Sequence, residues 1–316
     1  MQDVVHDYVE RMRQSPYIRE KQFGNISSFN FTKSAFYHEH WNQLTTKARG
    51  LFINTATDQV VTRGYDKFFN IGENRQTELQ AIQKKVVYPV EVYQKENGFL
   101  GMISWDKEKK DLLFATKSML TGEYVDTLKD IFFHSGLDIE AVIKFLRSPP
   151  GLVGPCTLIV EVIDPQRDPH IIQYSQRQIV LLDIVLNELS PSYLAYHYVT
   201  NKAQDFRMPV KKHVKSILCF SEIEDLVVQC ESPNCVDRDG LPFEGYVFRD
   251  ANGYMFKLKT AFYRKWKQYR WQADAVIHKA SDPGDDLFLQ WVADHKEVLD
   301  GFSIIDMRRL YEAHSP

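Results

Sequence analysis

A chain of 316 residues, 44% hydrophobic and 26% charged, is long enough to bury a sizeable core, and its length suggests about two domains. Its net charge of -3 does not advertise a polyanionic partner for the molecule as a whole, and no stretch approaches the ~20 consecutive apolar residues that span a bilayer. The start, Met1-Gln2-Asp3-Val4, carries no secretory pattern, and the cysteines Cys156, Cys219, Cys230 and Cys235 lack zinc-site spacing, so idle thiols in a reducing, intracellular compartment are expected.

Val4, Val5, Tyr8, Val9 and Met12 have the spacing of a short amphipathic helix. His38-Glu39-His40 would place two histidines on one side of a strand, but solvated polar residues are the plainer reading. Strand-like runs then alternate with short helices through residue 260. Val86 to Tyr93 is one such run, and Asp138 to Arg147 reads as a helix stopped by Ser148-Pro149-Pro150-Gly151. Glu161 interrupts the apolar run Thr157 to Ile163, where an unpaired charge is expensive, so it meets either a ligand or a buried cation. Asp183, inside Ile179 to Leu186, poses the same question, whereas Lys211-Lys212-His213-Val214-Lys215 reads as an exposed basic cluster.

Phe243 to Arg249 and Tyr254 to Thr260 flank Asp250-Ala251-Asn252-Gly253, a hairpin signal. With Asn252 and Gly253 as a two-residue turn, Phe248 pairs with Lys257 and Tyr246 with Lys259. Glu244, Tyr246, Phe248, Lys257 and Lys259 then share one face. A carboxylate and two ammonium groups would project together, and a solvated face with a surface ion pair is the alternative. From Lys257 to Arg270 there are six basic residues and no acidic one, interleaved with aromatic rings. Either this is an RNA-binding surface or a helix with an aromatic core face and a basic solvent face. After Asp282-Pro283-Gly284, two further helical stretches are expected, one over Leu287 to Leu299 and one from Ser303 through Tyr311. No internal repeat is visible.

Lys95 follows a strand-like run and precedes Glu96-Asn97-Gly98, whose glycine permits a tight turn and close approach to a ligand. A free lysine is only roughly one part in 10³ deprotonated at neutral pH, so a nucleophilic role requires burial or neighbouring cations. Lys257 and Lys259, converging on the same pocket, would supply those cations and neutralise charge on an attacked phosphate.

The order Lys95-x-x-Gly98, Glu244-Gly245, Lys257-x-Lys259 resembles the covalent nucleotidyltransferases, which comprise DNA ligases, RNA ligases and mRNA capping enzymes. Lys47-Ala48-Arg49-Gly50-Leu51-Phe52 and Gly64-Tyr65-Asp66-Lys67-Phe68-Phe69-Asn70 further resemble phage RNA ligases and the ligase domain of fungal tRNA ligases. The resemblance covers about residues 40 to 265. Phage relatives commonly carry Asp-Gly-Ser where this chain has Asn97-Gly98-Phe99, and the segment around Glu161 departs from the fungal pattern, so both assignments stay open.

The resemblance implies an α+β adenylyltransferase core over residues 1–265, with antiparallel sheets flanking a nucleotide cleft, and a small helical C-terminal region over 266–316. It implies ATP and Mg²⁺ or Mn²⁺ as cofactors, with Lys95 adenylylated and Gly98 shaping its loop. Arg49 and Lys67 would orient the triphosphate, Phe69 would lie beside the nucleotide, and Lys117 would add a further cation. Glu161 would hold the ribose hydroxyls, Glu244 would touch metal and nucleotide, and Lys257 and Lys259 would meet the α-phosphate. The implied partner is RNA with 5′-phosphate and 3′-hydroxyl ends, such as tRNA halves, in the cytoplasm or nucleus. No phosphate-binding Gly-x-x-x-x-Gly-Lys-Ser/Thr loop is present, so separate enzymes are expected to prepare the ends. The alternatives are a capping guanylyltransferase and a non-catalytic protein that binds RNA ends.

Overall fold

A computed structural model describes residues 2–279 and 281–314. Helix α1 (Gln2–Arg13) is followed by β1 (Ile18–Phe23), β2 (Ile26–Phe31), α2 (Lys33–Tyr37), α3 (Gln43–Lys47), β3 (Leu51–Asn54), β4 (Gln59–Arg63) and β5 (Phe69–Asn70). Next come α4 (Leu79–Lys85), β6 (Val90–Gln94), β7 (Phe99–Asp106), β8 (Asp111–Thr116), α5 (Glu123–His134), α6 (Ile139–Arg147), β9 (Cys156–Ile163), β10 (Gln178–Leu186) and α7 (Tyr196–Asp205). The chain continues through β11 (His213–Ile217), α8 (Ser221–Glu231), β12 (Gly245–Arg249) and β13 (Met255–Lys259). It then enters α9 (Ala261–Lys279), α10 (Leu287–Asp294), α11 (Lys296–Leu299) and α12 (Ile304–His314). This is the α+β architecture with antiparallel sheets and C-terminal helices that the sequence suggests. Among the described residues no helix is long and apolar enough to cross a membrane.

Two compact units interleave along the chain. The first holds residues up to Glu78, Phe99–Ile163 and Arg177–Lys212, and the second holds Leu79–Gly98, Asp164–Gln176 and the chain from His213 on. Position 265 lies inside α9, with the second unit on both sides of it.

In the first unit, antiparallel sheets of order β1-β2-β3-β4 and β10-β9-β7-β8 form two of the layers. Strand β9 is buried at every position because both its faces are covered. Leu158, Val160 and Val162 pack with Leu128, Phe132, Val142 and Phe145 of α5 and α6. The opposite face carries Ile159 and Glu161, which lie across from Met102 and Leu100 of β7. Met102 joins Phe52 and Ala115 in a second cluster, while Val5, Val9 and Met12 of α1 cover Phe29, Leu51 and Ile53. Alternation along β9 thus keeps Glu161 off the helix-facing core.

In the second unit, strands run in the order β11-β6-β12-β13. Helices α9, α10, α11 and α12 enclose a core with Trp266, Phe288, Val292 and Met307, to which Ile171 and Ile172 contribute. Of the basic and aromatic run from Lys257 to Arg270, Lys257 and Lys259 lie in β13 and the residues from Ala261 on form α9. Tyr263 and Trp266 are buried, while Arg264, Lys265 and Lys267 face outward.

Two expectations are corrected. The hairpin is not closed by a two-residue turn, since Arg249 pairs with Met255, Phe248 with Phe256 and Tyr246 with Leu258. Gly253 N–H donates to Asp250 O at 3.0 Å, Gly253 has φ 82°, and the Asp250 carboxylate accepts from the N–H groups of Asn252 and Tyr254. A type I turn followed by a left-handed glycine adds a residue to the loop and shifts the register by one. Tyr246 and Phe248 consequently face the core with Phe256 and Leu258, while Lys257 and Lys259 occupy the other face. Lys211 is not exposed. Its ammonium lies 2.7 Å from Asp183, which also accepts from Tyr65 Oη at 2.9 Å, so the buried carboxylate has a buried cation. By contrast, His38 and His40 are exposed as the plainer reading has it, lying after α2, with His40 Nε2 2.8 Å from Tyr17 Oη.

Candidate active site

Lys95 sits one residue past β6, and its N–H still donates to Gly245 O at 2.8 Å, continuing the ladder between β6 and β12. Its ammonium donates to Glu244 Oε2 at 3.1 Å and to Glu96 O at 2.9 Å. Glu244 is buried, and its other oxygen lies 3.1 Å from Lys259 Nζ. Burial alone would raise the Glu244 carboxyl, but the charges of Lys95 and Lys259 outweigh it and hold the group below its ordinary range.

Glu244 reaches the lysine face despite the shifted register because Gly245 breaks the strand's alternation. Gly245 has φ 146°, and a Cβ there would stand 2.0 Å from Leu258 O. Burial lowers the Lys259 ammonium, with Glu244 opposing and Lys267 and Lys95 reinforcing the shift. Lys259 also lies 4.5 Å from the Tyr263 ring centroid. Lys257 is half-buried on the same strand face.

Asn97 ties these groups together. Its Oδ1 accepts from the N–H groups of Ile171 and Ile172, both at 3.0 Å, which fixes the amide's orientation. Its Nδ2 then donates to Glu244 Oε2 at 2.8 Å and to Tyr263 Oη at 3.4 Å. Tyr174 Oη accepts from Asn97 N–H at 2.8 Å and donates to Glu96 Oε2 at 2.9 Å. Gly98 leads from this loop directly into β7. Burial first, then the Glu244 charge, pushes the Tyr263 hydroxyl up to about 12, so it remains a neutral donor and acceptor.

The first unit carries a separate cluster of cations. Gly50 N–H donates to Lys117 O at 3.1 Å, which ties the Arg49 loop to the end of β8. Fully buried Arg63 donates to Arg49 O at 3.1 Å and is paired with Asp66. Arg49 itself donates to Tyr65 O at 3.3 Å. Burial lowers the Arg49 guanidinium, Glu161 opposes that shift, and Arg63 adds to it. Lys67 pairs with Glu73 at 2.9 Å and lies 3.9 Å from the Phe69 ring centroid and 5.5 Å from that of Trp41. Burial depresses Lys67 most, and Glu73 partly restores it. Lys117, over the Phe31 ring at 4.5 Å, is pushed down to about 8 by desolvation and by the charges of Arg49 and Lys67. Arg49 depresses both lysines and Lys67 depresses Lys117, a set of cations suited to a polyanion.

Lys95, Glu244, Lys257, Lys259 and Gly98 thus belong to one unit, and Arg49, Lys67, Phe69, Lys117 and Glu161 to the other. Glu161 acts electrostatically on Arg49, and Phe69 is buried beneath Lys67. Sequence reasoning missed Tyr174 and Tyr263, whose site partners are distant in the chain and leave no local pattern, and Arg63, whose pairing with Asp66 three residues on gave no sign of its burial. Among the described residues no group of three or more His, Cys, Asp or Glu side chains could hold a metal ion. Both oxygens of Glu244, the residue expected at a metal, are engaged by ammonium groups.

The fold has solved counterparts. A putative ATP-dependent DNA ligase from Aquifex aeolicus superposes with a TM-score of 0.56 at 11% identity, over 97% of this chain and 75% of that one. An archaeal ATP-dependent RNA ligase superposes with a TM-score of 0.55 at 14% identity, over 98% of this chain and 76% of that one. These likenesses place the chain in the nucleotidyltransferase fold. A family model described as RNA ligase matches residues 47–263, and the chain belongs to that family. Among curated proteins, tRNA ligase 1 of Schizosaccharomyces pombe is 24% identical over 260 residues, covering 72% of this chain and 32% of the yeast protein. The chain therefore spans about a third of that relative's length.

Proposed function

We propose that this chain is an ATP-dependent RNA ligase in which Lys95 becomes covalently adenylylated. Family membership supports the reading, and one arrangement carries it: buried Glu244 holds Lys95 and Lys259 at 3.1 Å each. After Lys95 Nζ loses a proton to solvent, its lone pair forms a bond to the α-phosphorus of ATP. The bond from that phosphorus to the bridging oxygen breaks, and pyrophosphate leaves with the electron pair. Lys257 and Lys259 stabilise the charge on the α-phosphate oxygens. Following the resemblance, we assign Arg49, Lys67 and Lys117 to neutralising the triphosphate, Glu161 to the ribose hydroxyls and Phe69 to the nucleotide site. A 5′-phosphate oxygen of RNA then attacks the lysyl-AMP phosphorus and releases Lys95. Finally a 3′-hydroxyl attacks the activated 5′-phosphate, and AMP departs.

Mg²⁺ or Mn²⁺ would arrive on the triphosphate, offsetting its charge, rather than in a cage of protein carboxylates. The substrate is RNA with 5′-phosphate and 3′-hydroxyl ends, and the yeast relative's name makes tRNA halves the first RNA to try. The reacting groups lie within residues 1–265, the helical region 266–316 completes the core of the second unit, and the setting we assign is the cytoplasm or nucleus. Incubation with α-labelled ATP, comparing the parent with Lys95→Ala, tests the reading. Label on the parent alone supports it. Label from GTP alone would make it a guanylyltransferase, and no label with retained binding to broken RNA would make it a non-catalytic end binder.

A further inference from the structure

Helix α12 carries a buried arginine that its own packing does not require. Arg308 is 9% exposed, with its guanidinium 5.0 Å from the Phe262 ring centroid and 5.4 Å from that of Trp266. Burying a guanidinium is expensive, and a methionine or leucine would fill the same space at lower cost. Arg308 Nη1 donates to Ile171 O at 3.3 Å. That carbonyl belongs to the same peptide group as the Ile172 N–H, which donates to Asn97 Oδ1 at 3.0 Å. Asn97 Nδ2 in turn donates to Glu244 Oε2 at 2.8 Å, the oxygen that holds Lys95.

The path from Arg308 to Lys95 therefore crosses two amide groups, one in the backbone and one in a side chain. In each, a donor on the oxygen draws electron density from the nitrogen and strengthens its N–H as a donor. A cation stands at one end of the path and a carboxylate at the other. We infer that Arg308 is a positioning residue: acting through the Ile171–Ile172 peptide and Asn97, it fixes and polarises the hydrogen bond that aims Glu244 at Lys95. This rests on the functional reading above. It gives the C-terminal helices a part in the adenylylation step itself, separate from any contact they make with RNA.

The test compares Arg308→Met, which removes donor and charge, with Arg308→Gln, which keeps a neutral donor in a residue more readily accommodated. Single-turnover formation of lysyl-AMP gives the rate constant, and α,β-methylene ATP, which cannot react, gives nucleotide affinity. Arg308→Met should slow adenylylation by about 10-fold or more, the scale of one lost charge-assisted hydrogen bond, with Arg308→Gln between it and the parent. Affinity for the analogue should stay within about twofold, since only the aim of the nucleophile is disturbed. Added to Asn97→Ala, Arg308→Met should cost little more, because both changes cut one path. Equal rates for all three proteins, or full additivity with Asn97→Ala, overturns the inference. Should Arg308→Met not fold, the same outcomes are read from Arg308→Gln. If the parent forms no lysyl-AMP, the functional reading fails, and the link is judged from the Asn97 side-chain amide NMR signal. A shift of that signal on substituting Arg308 supports the link, and an unmoved signal refutes it.

Discussion

Asn97 stands where an aspartate would satisfy the same two backbone donors, yet its amide does what a carboxylate cannot, donating to Glu244 at 2.8 Å. Asn97→Asp would set two carboxylates against each other beside Lys95. Loss of a hydrogen bond to a charged group, with added repulsion, predicts lysyl-AMP formation slower by on the order of 100-fold. Single-turnover labelling checks this, and a rate within about threefold of the parent would contradict it. Lys117, held down to about 8 by desolvation and by Arg49 and Lys67, gives a pH dependence. Its ammonium is present below that pH, so affinity for a non-reacting ATP analogue should weaken as pH rises through about 8. The unfolded chain, with an ordinary lysine, binds the proton more tightly, so this group's contribution to stability rises from pH 8 toward the normal lysine range. Because Lys117 is exposed and solvent screens it, that contribution to stability is small, and Lys117→Met should chiefly weaken analogue binding and remove its pH dependence near 8. An analogue affinity whose pH dependence is the same in Lys117→Met and the parent would contradict the electrostatic account.

At the scale of elements, the β12–β13 hairpin shows what the chain order reveals and what it hides. Asn252-Gly253 announces the turn, but the Asp250 side chain and the left-handed Gly253 build a longer loop that no two-residue rule anticipates. The register moved by one, yet Glu244 and Lys259 still meet, because Gly245 turns the chain where an L-residue is strained. Gly245→Ala should destabilise the protein by about 2 kcal/mol or more, through a strained φ and a clash with Leu258 O. Denaturant midpoints at unchanged slope would measure this, and a loss below about 0.5 kcal/mol would refute it. Glu161 and Asp183 were legible as charges in apolar runs that needed partners. Lys211 was not, because adjacent charges in the chain resembled a solvated patch while the fold buried one of them.

For the whole molecule, the sheets and the terminal helices follow from period-2 and period-3.6 patterns, but the interleaving of two units does not. Three chain segments compose each unit, and long-range pairing leaves no local signature. Ending the chain at residue 265 would strip Trp266, Phe288 and Met307 from the core that holds Tyr263, Ile171 and Ile172. A 1–265 protein should accordingly lose lysyl-AMP formation and unfold less cooperatively, and full activity in that fragment would contradict this packing argument. The central claim is that one amine, Lys95, takes the nucleotide. Peptide mapping by mass spectrometry after incubation with ATP and Mg²⁺ tests it most directly. An AMP adduct confined to the Lys95 peptide, discharged by adding RNA with a 5′-phosphate, is the expected result. An unmodified Lys95, or an adduct on another residue, would contradict it.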